Sequence, residues 1–455
     1  MHGDSFFKIA RGERMAKTNL TFSVGGVHFD EHKELSEGVA IEVMPSPKVV
    51  RIPMSQHIGA PCQPTVSVGD HVLRGQIVGN SDAFISAAVH SSVSGEVVSI
   101  EKGYAANGMY TDMVVIENDG KDELDPSIRP IENYEDLTID ELVSLVKNAG
   151  IVGMGGAGFP LHAKLKSDDP ALDVVILNGA ECEPFLTCDH RLMLEQADEL
   201  FDSLKLFQDL YKTDEAYLAI EENKPDAIEK ANEMVATKYP TLKVATMKTK
   251  YPQGDSKRQS EAVCGRIVPQ NGVTNDVGVF LTNVQTSKAF YDLIRKGMPS
   301  IERILTVSGS GIEKPKNFLV RVGTPVQDIL DFCGVKDNVV EYICGGPMTG
   351  KSIFDFNSPI TKTSSGILAF TDEEIDDAKE GPCIQCGRCV DHCPANINPT
   401  RINASILRNR IDLCQEYHAD QCMECGICSF VCPAKRYLSE STKLAKREVR
   451  ANARK

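Results

Sequence analysis

The sequence predicts a multidomain chain of α/β and all-β parts that ends in a small helical, cysteine-rich domain. Three observations carry this. At 455 residues the chain is too long for a single hydrophobic core, so about two to four domains are expected. Residues 40–118 alternate apolar and polar positions between turn signals, whereas residues 138–300 alternate strand-like and helix-like runs. Nine of the fifteen cysteines fall between Cys383 and Cys432.

The composition narrows the function classes. A hydrophobic content of 42% with 25% charged residues is that of a soluble globular protein. The net charge of −15 argues against nucleic acid as a partner, because phosphate binding needs a basic surface. No apolar run approaches the roughly 18 residues of a membrane-spanning helix, and no secretory leader stands at the N-terminus. Any membrane link therefore runs through a partner protein. Cysteines in a chain of this kind serve as metal ligands or reactive thiols more often than as disulfides.

Residues 1–14, "MHGDSFFKIARGER", look detached from the rest of the chain, and Met15 is expected to be the natural start. Residues 15–120 hold the β module. Its runs "VSVGDHVLRGQ" and "VHSSVSGEVVSI" resemble the barrel-sandwich of biotinyl and lipoyl carriers. The comparable turn here, Val89-His90-Ser91-Ser92, has no modifiable lysine, so a structural module is expected rather than a swinging arm. An acidic loop at about 117–138 leads into an α/β domain over 135–300. That domain opens on a helix from Thr138 to Gly150. Ile139, Leu142, Val143 and Val146 share one face, and Thr138 with Glu141 makes a capping box. The run 172–180 reads as a buried strand and 191–211 as one long amphipathic helix. Strand "EAYLAIEE", helix "PDAIEKANEMVATK" and strand "LKVATMK" come next. Residues 301–355 begin strand–strand–helix, a small hairpin-plus-helix fold. The segment 370–440 is helical between cysteine motifs, with an inserted helix at "NPTRINASILRNRIDL". The basic tail 441–455 is read as disordered, or as touching a membrane surface or partner.

The cysteines give the firmest chemistry. "CIQCGRCVDHCP" and "CMECGICSFVCP" each read C-x2-C-x2-C-x3-C-P, the two-cluster ferredoxin spacing. Three close thiolates wrap one corner of a cubane, and the fourth points to the other cluster. Cys383, Cys386, Cys389 and Cys432 are therefore assigned to one 4Fe–4S cluster, and Cys422, Cys425, Cys428 and Cys393 to a second. Cys414 fits neither set and is read as a buried thiol.

"GMGGAGFP", Gly153 to Pro160, matches G-x-G-x-x-G, but the ordinary dinucleotide turn needs a strand before it. A helix precedes it here. A glycine-rich loop between two helices can instead bring backbone N–H groups up to an anion, with Lys164 on the second helix within reach of a phosphate. Asn178, Glu181 and Glu183 lie just past a strand's carboxyl end, where open α/β sheets bind ligands.

With "NGAECEP" after it, this loop resembles the FMN- and NADH-binding domain of the complex I 51 kDa flavoprotein family. It resembles more closely the family of C-type subunits of Rnf electron-transport complexes. "GGVH", "YPQGD" (251–255), "LTNVQT" (281–286), "GGPMTG" (345–350), an SLBB-like β-grasp segment from about 302 and the doubled cysteine motif continue the match in order. The resemblance implies non-covalent FMN held by Gly153, Gly155, Gly156, Gly158 and Lys164, with Asn283 finishing the phosphate site. It implies Asn178 at the flavin, Glu181 and Glu183 beside NAD(H), and Phe159 stacked on a base or nicotinamide. Tyr251, Gly254 and Asp255 would form a second flavin-side loop. The complex I relatives carry paired acids there, and this chain has Asp255 followed by Ser256. Cys182 and Cys188 are read as packing residues. His190 and Arg191 either steer a pyrophosphate or cap the next helix.

NAD(H) exchanges two electrons as hydride, clusters pass one, and a flavin does both, so the cofactor rather than a side chain carries the hard step. The resemblance implies a ferredoxin–NAD oxidoreductase component, peripheral on the cytoplasmic face of the membrane. Its partners would be the other Rnf proteins of an ion-translocating complex, namely the membrane subunits and the ferredoxin-like B-type subunit. Two alternatives stand beside this: a soluble cytoplasmic carrier serving an amino-acid reductase, and an electron-transfer or assembly module with a vestigial flavin site.

Overall fold

The computed structural model describes residues 17–156, 158–166, 170–376 and 378–453. The expected leader 1–14 and start at Met15 lie outside them. At the centre is a five-stranded parallel sheet. Its strands run in the order Lys17–Leu20, Lys243–Met247, Glu215–Glu221, Val174–Gly179, Val279–Asn283. Helices Ile139–Asn148, Ala197–Tyr211, Pro225–Thr237 and Val284–Lys296 bury one face of it around Leu177, Phe207 and Phe280. Helix Ser256–Cys264 packs its Val263 against the other. The parallel strands are apolar along their length, as burial on both faces requires.

The first helix forms where the capping box places it. Thr138 Oγ1 accepts from the Glu141 backbone N–H, and the Glu141 carboxylate accepts from the Thr138 N–H. Such a cap stabilises a helix by about 1 kcal/mol. The helix ends at Ala149, and Gly150 follows at φ +68°. The expected long helix over 191–211 is two, Cys188–Glu195 and Ala197–Tyr211. Gln196, with φ −126° and ψ 37°, breaks the ladder between them.

The β module holds two antiparallel sheets, one of four strands including Gly95–Tyr104 and Tyr110–Asn118, and one of three including Val89–His90. It begins in earnest at Val49. Upstream, Lys17–Leu20 is an edge strand of the central sheet, and Glu42–Val43 joins the sheet of the 302–371 region. The lipoyl-like turn is buried: Ser92 Oγ donates to Val322 O at 2.6 Å, and Lys362 Nζ donates to Ala88 O at 2.9 Å. A structural module, as expected, fits that burial. The sheet starting at Glu302–Ser308 runs beyond residue 355, because Gly366–Thr371 pairs with both Glu302–Ser308 and Val339–Cys344.

In the C-terminal domain the inserted segment forms two helices, Pro399–Ile406 and Ile411–Glu416. The basic tail is helical and packed: in Leu438–Asn452, Ala445 and Val449 bury against Ile402, Ile406 and Cys414. No helix among the described residues is long and apolar enough to cross a membrane.

Candidate functional site

The carboxyl ends of the central strands make the floor. Asn178 and Asn283 are register partners on neighbouring parallel strands, so both end at the same crevice. The glycine loop arches over it, closed by a bridge between Val152 and Pro160 and by Gly153 N–H donating to Phe159 O at 2.9 Å. Its Met154 N–H donates to Thr286 Oγ1 at 2.8 Å. A Cβ on Gly155 would lie 2.9 Å from Asn283 Nδ2, whereas one on Gly156 would meet nothing within 4 Å. The loop therefore rests on Asn283 at one point and stands open at the next. Among the described residues the N–H groups of Gly155 and Gly156 donate to no acceptor. Gly158, at φ +75°, turns the chain back, and its carbonyl accepts from Ile58 N–H of the β module at 3.2 Å.

Lys164 lies on a single 3₁₀ turn, Leu161–Lys164, rather than on the helix expected after the loop. One turn carries no useful helix dipole, so the anion-holding features here are the free N–H groups and the ammonium itself. Burial pushes the Lys164 ammonium below its ordinary pKa. It stands 6.0 Å from the Phe159 ring and pairs with no carboxylate among the described residues. A partly buried cation without a partner, beside two free N–H groups, fits a phosphate.

The carboxylates expected beside a nucleotide are taken up by protein donors. Glu181 Oε1 accepts from Asp189 N–H at 2.6 Å and Oε2 from His190 N–H at 3.1 Å, capping helix Cys188–Glu195. Glu183 accepts from Met348 N–H at 3.0 Å and from Thr349 Oγ1 at 2.5 Å, fastening the "GGPMTG" loop, and burial raises its pKa. Asp255 caps helix Ser256–Cys264 through the N–H groups of Lys257 and Arg258. Asn178 Nδ2 donates to Gly254 O at 2.8 Å, tying the strand end to the 251–255 loop. His190 Nε2 donates to the Asp226 carboxylate at 2.7 Å. Arg191 pairs with Glu195 on its own helix.

A buried network that sequence patterns did not single out supports the glycine loop from below. Asp189 accepts from Asn283 Nδ2 at 2.7 Å and Gln285 Nε2 at 2.9 Å, while Asn283 Oδ1 caps helix Val284–Lys296. Burial, then the neighbouring Glu181 charge, pushes the Asp189 carboxyl up to about 6.

The cysteines lie in two groups of four. Burial raises the Cys389 thiol, and after burial its neighbours Cys432, Cys383 and Cys386 raise it further. The Cys428 thiol is raised by burial and then by Cys422, Cys425 and Cys393. The second group lines an apolar cavity with Pro394, Ile397 and Ile427, a setting suited to a cubane. The two motifs repeat one backbone: Gln385 and Glu424 at φ 55° and 61°, Gly387 and Gly426 both at 80°. All fifteen cysteines are free, and Cys414 is fully buried in the helical core, as expected.

The second group abuts the crevice. Tyr251 donates its hydroxyl to Cys425 O at 2.8 Å, and Met348 O lies against Gly426. Cys182, next to Glu183, packs against the Val27, Tyr251 and Ile427 cluster, as do Met348 and Cys425. From the other side, Lys446 of the C-terminal helix donates to Cys422 O at 2.7 Å. The first group faces outward, with Cys383 and Cys386 exposed.

Known proteins agree with this architecture. Residues 146–292 match the model of the Nuo51 FMN-binding domain, residues 20–121 that of the RnfC barrel sandwich hybrid domain, and residues 382–435 that of a 4Fe-4S dicluster domain. The C-type subunit of the proton-translocating ferredoxin:NAD(+) oxidoreductase complex of Clostridium ljungdahlii is 44% identical over 86% of this chain and 85% of its own. The corresponding subunit of the Na(+)-translocating ferredoxin:NAD(+) oxidoreductase complex of Acetobacterium woodii is 42% identical over 95% of this chain and 98% of its own. The chain belongs to the RnfC family. Another member, the C-type subunit of the ion-translocating oxidoreductase complex of Rhodobacter capsulatus, is 40% identical over 85% of this chain and 75% of its own. Like the family, the chain combines a barrel-sandwich module, an FMN-binding domain and an iron–sulfur domain.

Proposed function

We propose that this chain transfers electrons between NAD(H) and ferredoxin-linked partners through non-covalent FMN and two 4Fe–4S clusters, as the peripheral cytoplasmic-face subunit of an ion-translocating complex. The observation that carries the reading is the Tyr251–Cys425 hydrogen bond, which joins the crevice loop to a cysteine quartet without a gap. Family membership supports the coupling to ion translocation, which belongs to membrane partners.

The residues divide the work between them. The N–H groups of Gly155 and Gly156 and the Lys164 ammonium hold the flavin phosphate, with Asn283 supporting the loop beneath. Asn178, Gly254, Phe159 and Tyr251 line the ring side. Bound FMN supplies the exchange between two-electron hydride chemistry and single electrons. Glu181, Glu183 and Asp255 act through the loops they cap, as positioning groups that keep the crevice walls in place. Cys393, Cys422, Cys425 and Cys428 hold the inner cluster. Cys383, Cys386, Cys389 and Cys432 would hold the outer one, which would pass single electrons.

The test is an anaerobic NADH titration of the chain reconstituted with iron, sulfide and FMN. Bleaching of both flavin and cluster absorbance is expected; clusters that stay oxidised with NADH yet respond to dithionite would overturn the reading. Lys164→Met is expected to weaken FMN binding about ten- to a hundred-fold, the worth of a charged hydrogen bond, measured by fluorescence titration.

A further inference from the structure

We propose that residues 25–36 form a strap that sets the spacing between the flavin crevice and the inner cysteine quartet, with Lys33 as its positioning residue. The inference rests on the assignment of those two sites given above. The strap lies between the edge strand Lys17–Leu20 and the short strand Glu42–Val43, outside both sheets of the β module.

Along the chain, it touches each part of the electron path in turn. Gly26 N–H donates to His392 O at 3.0 Å, one residue before the cluster ligand Cys393. Val27 exchanges backbone hydrogen bonds with Tyr251 at 3.0 and 2.9 Å. The Phe29 ring sits between Tyr251, at 5.2 Å, and Phe430 of the second cysteine motif, at 4.9 Å. Glu31 O accepts from Phe185 N–H at 2.8 Å, and His32 stacks on the Phe185 ring at 4.7 Å.

Lys33 then closes the strap. It is 4% exposed and makes no ion pair among the described residues. Its ammonium donates to three carbonyls, Glu181 O at 2.9 Å, Glu183 O at 2.9 Å and Leu186 O at 2.7 Å. Three donors meet three acceptors, so the ammonium is saturated by one loop. That loop is strained: Glu181 and Phe185 hold φ +48° and +65°, which residues with a Cβ adopt only when held there. It carries Cys182, which packs into the same Val27, Tyr251 and Ile427 cluster as Cys425, and Glu183, which fastens the loop at Met348. A buried lysine serving only as core filler would point its ammonium at solvent or a carboxylate. This one instead gathers the loop that separates crevice from cluster. Electron transfer falls steeply with separation, so a loop that relaxes here slows the flavin-to-cluster step before it disturbs flavin binding.

The experiment uses the full chain with clusters and FMN in place. Bound FMN is photoreduced with a sacrificial amine donor, which supplies both electrons and bypasses NADH. Each subsequent event moves one electron from reduced flavin to one oxidised cluster, and the flavin's protons leave to water. In Lys33→Met the transfer is expected to slow on the order of ten- to a hundred-fold, with FMN affinity and iron content unchanged. Hydrogen exchange at amides 180–187 is expected to quicken. Lys33→Arg, which restores the donors, should recover both readouts. A Lys33→Met chain that keeps wild-type transfer, or slowed transfer that Lys33→Arg does not rescue, overturns the strap. Should Lys33→Met fail to keep its cofactors, Gly25→Ala tests the other end. Gly25 has φ +66°, and an added Cβ would lie 2.6 Å from the Cys393 carbonyl carbon. Slowed transfer there supports the strap, and an unchanged rate defeats it. A wild type whose photoreduced flavin passes nothing to the clusters defeats the underlying site assignment instead.

Discussion

The two cysteine quartets share a spacing and a backbone, down to the positive φ at Gln385 and Glu424, yet they sit in opposite surroundings. The inner quartet is walled by Pro394, Ile397 and Ile427 and gripped by Tyr251 on one side and Lys446 on the other. The outer quartet leaves Cys383 and Cys386 exposed, beside an exposed Ile384 and an open cavity lined by Leu407, Arg408 and Arg436. One duplicated motif thus yields one quartet enclosed between domains and one open to solvent. Local spacing decides what a quartet binds. The elements packed around it decide how far solvent reaches it.

Removing metal breaks the comparison most severely. An iron chelator added to the reconstituted protein is expected to strip the outer quartet at least about ten-fold faster than the inner, because release needs solvent access to the thiolates. Iron release followed in the visible should be biphasic; a single phase would mean the two surroundings do not differ in effect.

A smaller effect is expected at the grip on the inner quartet. Tyr251→Phe leaves the Cys425 carbonyl without its donor, at a cost of about 1–3 kcal/mol. Chemical denaturation of the loaded protein would read that loss, and the outer quartet should keep its iron.

The crevice beside the inner quartet also has a pH signature. Burial raises the Asp189 carboxyl from 3.8 to about 6. The folded state therefore binds a proton that the unfolded state has released, so stability falls as pH rises across that window and levels off above it. Asp189→Asn should flatten this slope in melting temperatures recorded between about pH 4 and 7, with an amplitude of up to about 3 kcal/mol.

The weakest expected effect lies at the outer quartet. Residues 381–453 carry ten Lys and Arg against seven Asp and Glu, in a chain of net charge −15. Arg408→Glu should slow reduction of a small anionic acceptor about two- to five-fold at low salt, and the difference should vanish as salt screens the surface. Stopped-flow rates at two ionic strengths measure it.

Much of this was legible in the sequence wherever the physics is local. The capping box at Thr138 and Glu141, the strand at 174–179 and both quartets follow from spacings of a few residues. The pairing of Asn178 with Asn283 is half-legible, since each ends a strand but their register depends on the sheet. Long-range contacts left no pattern. Lys33 reaches carbonyls nearly 150 residues away. Glu181, Glu183 and Asp255 read as free acids at a ligand crevice, because nothing local says that distant backbone N–H groups will claim them. The break at Gln196 likewise interrupts a helical periodicity that continues unbroken on paper. Asp189, beneath the glycine loop's partner Asn283, became visible only once the sheet brought strand ends together.

The central claim is the order of the two centres, inner before outer. Rapid-freeze electron paramagnetic resonance after mixing with NADH tests it most directly, using Cys386→Ser and Cys425→Ser chains that each lack one cluster. The inner cluster is expected to be reduced at the wild-type rate when the outer is missing, and the outer cluster to stay oxidised when the inner is missing. Reduction of the outer cluster at the wild-type rate in Cys425→Ser would contradict it.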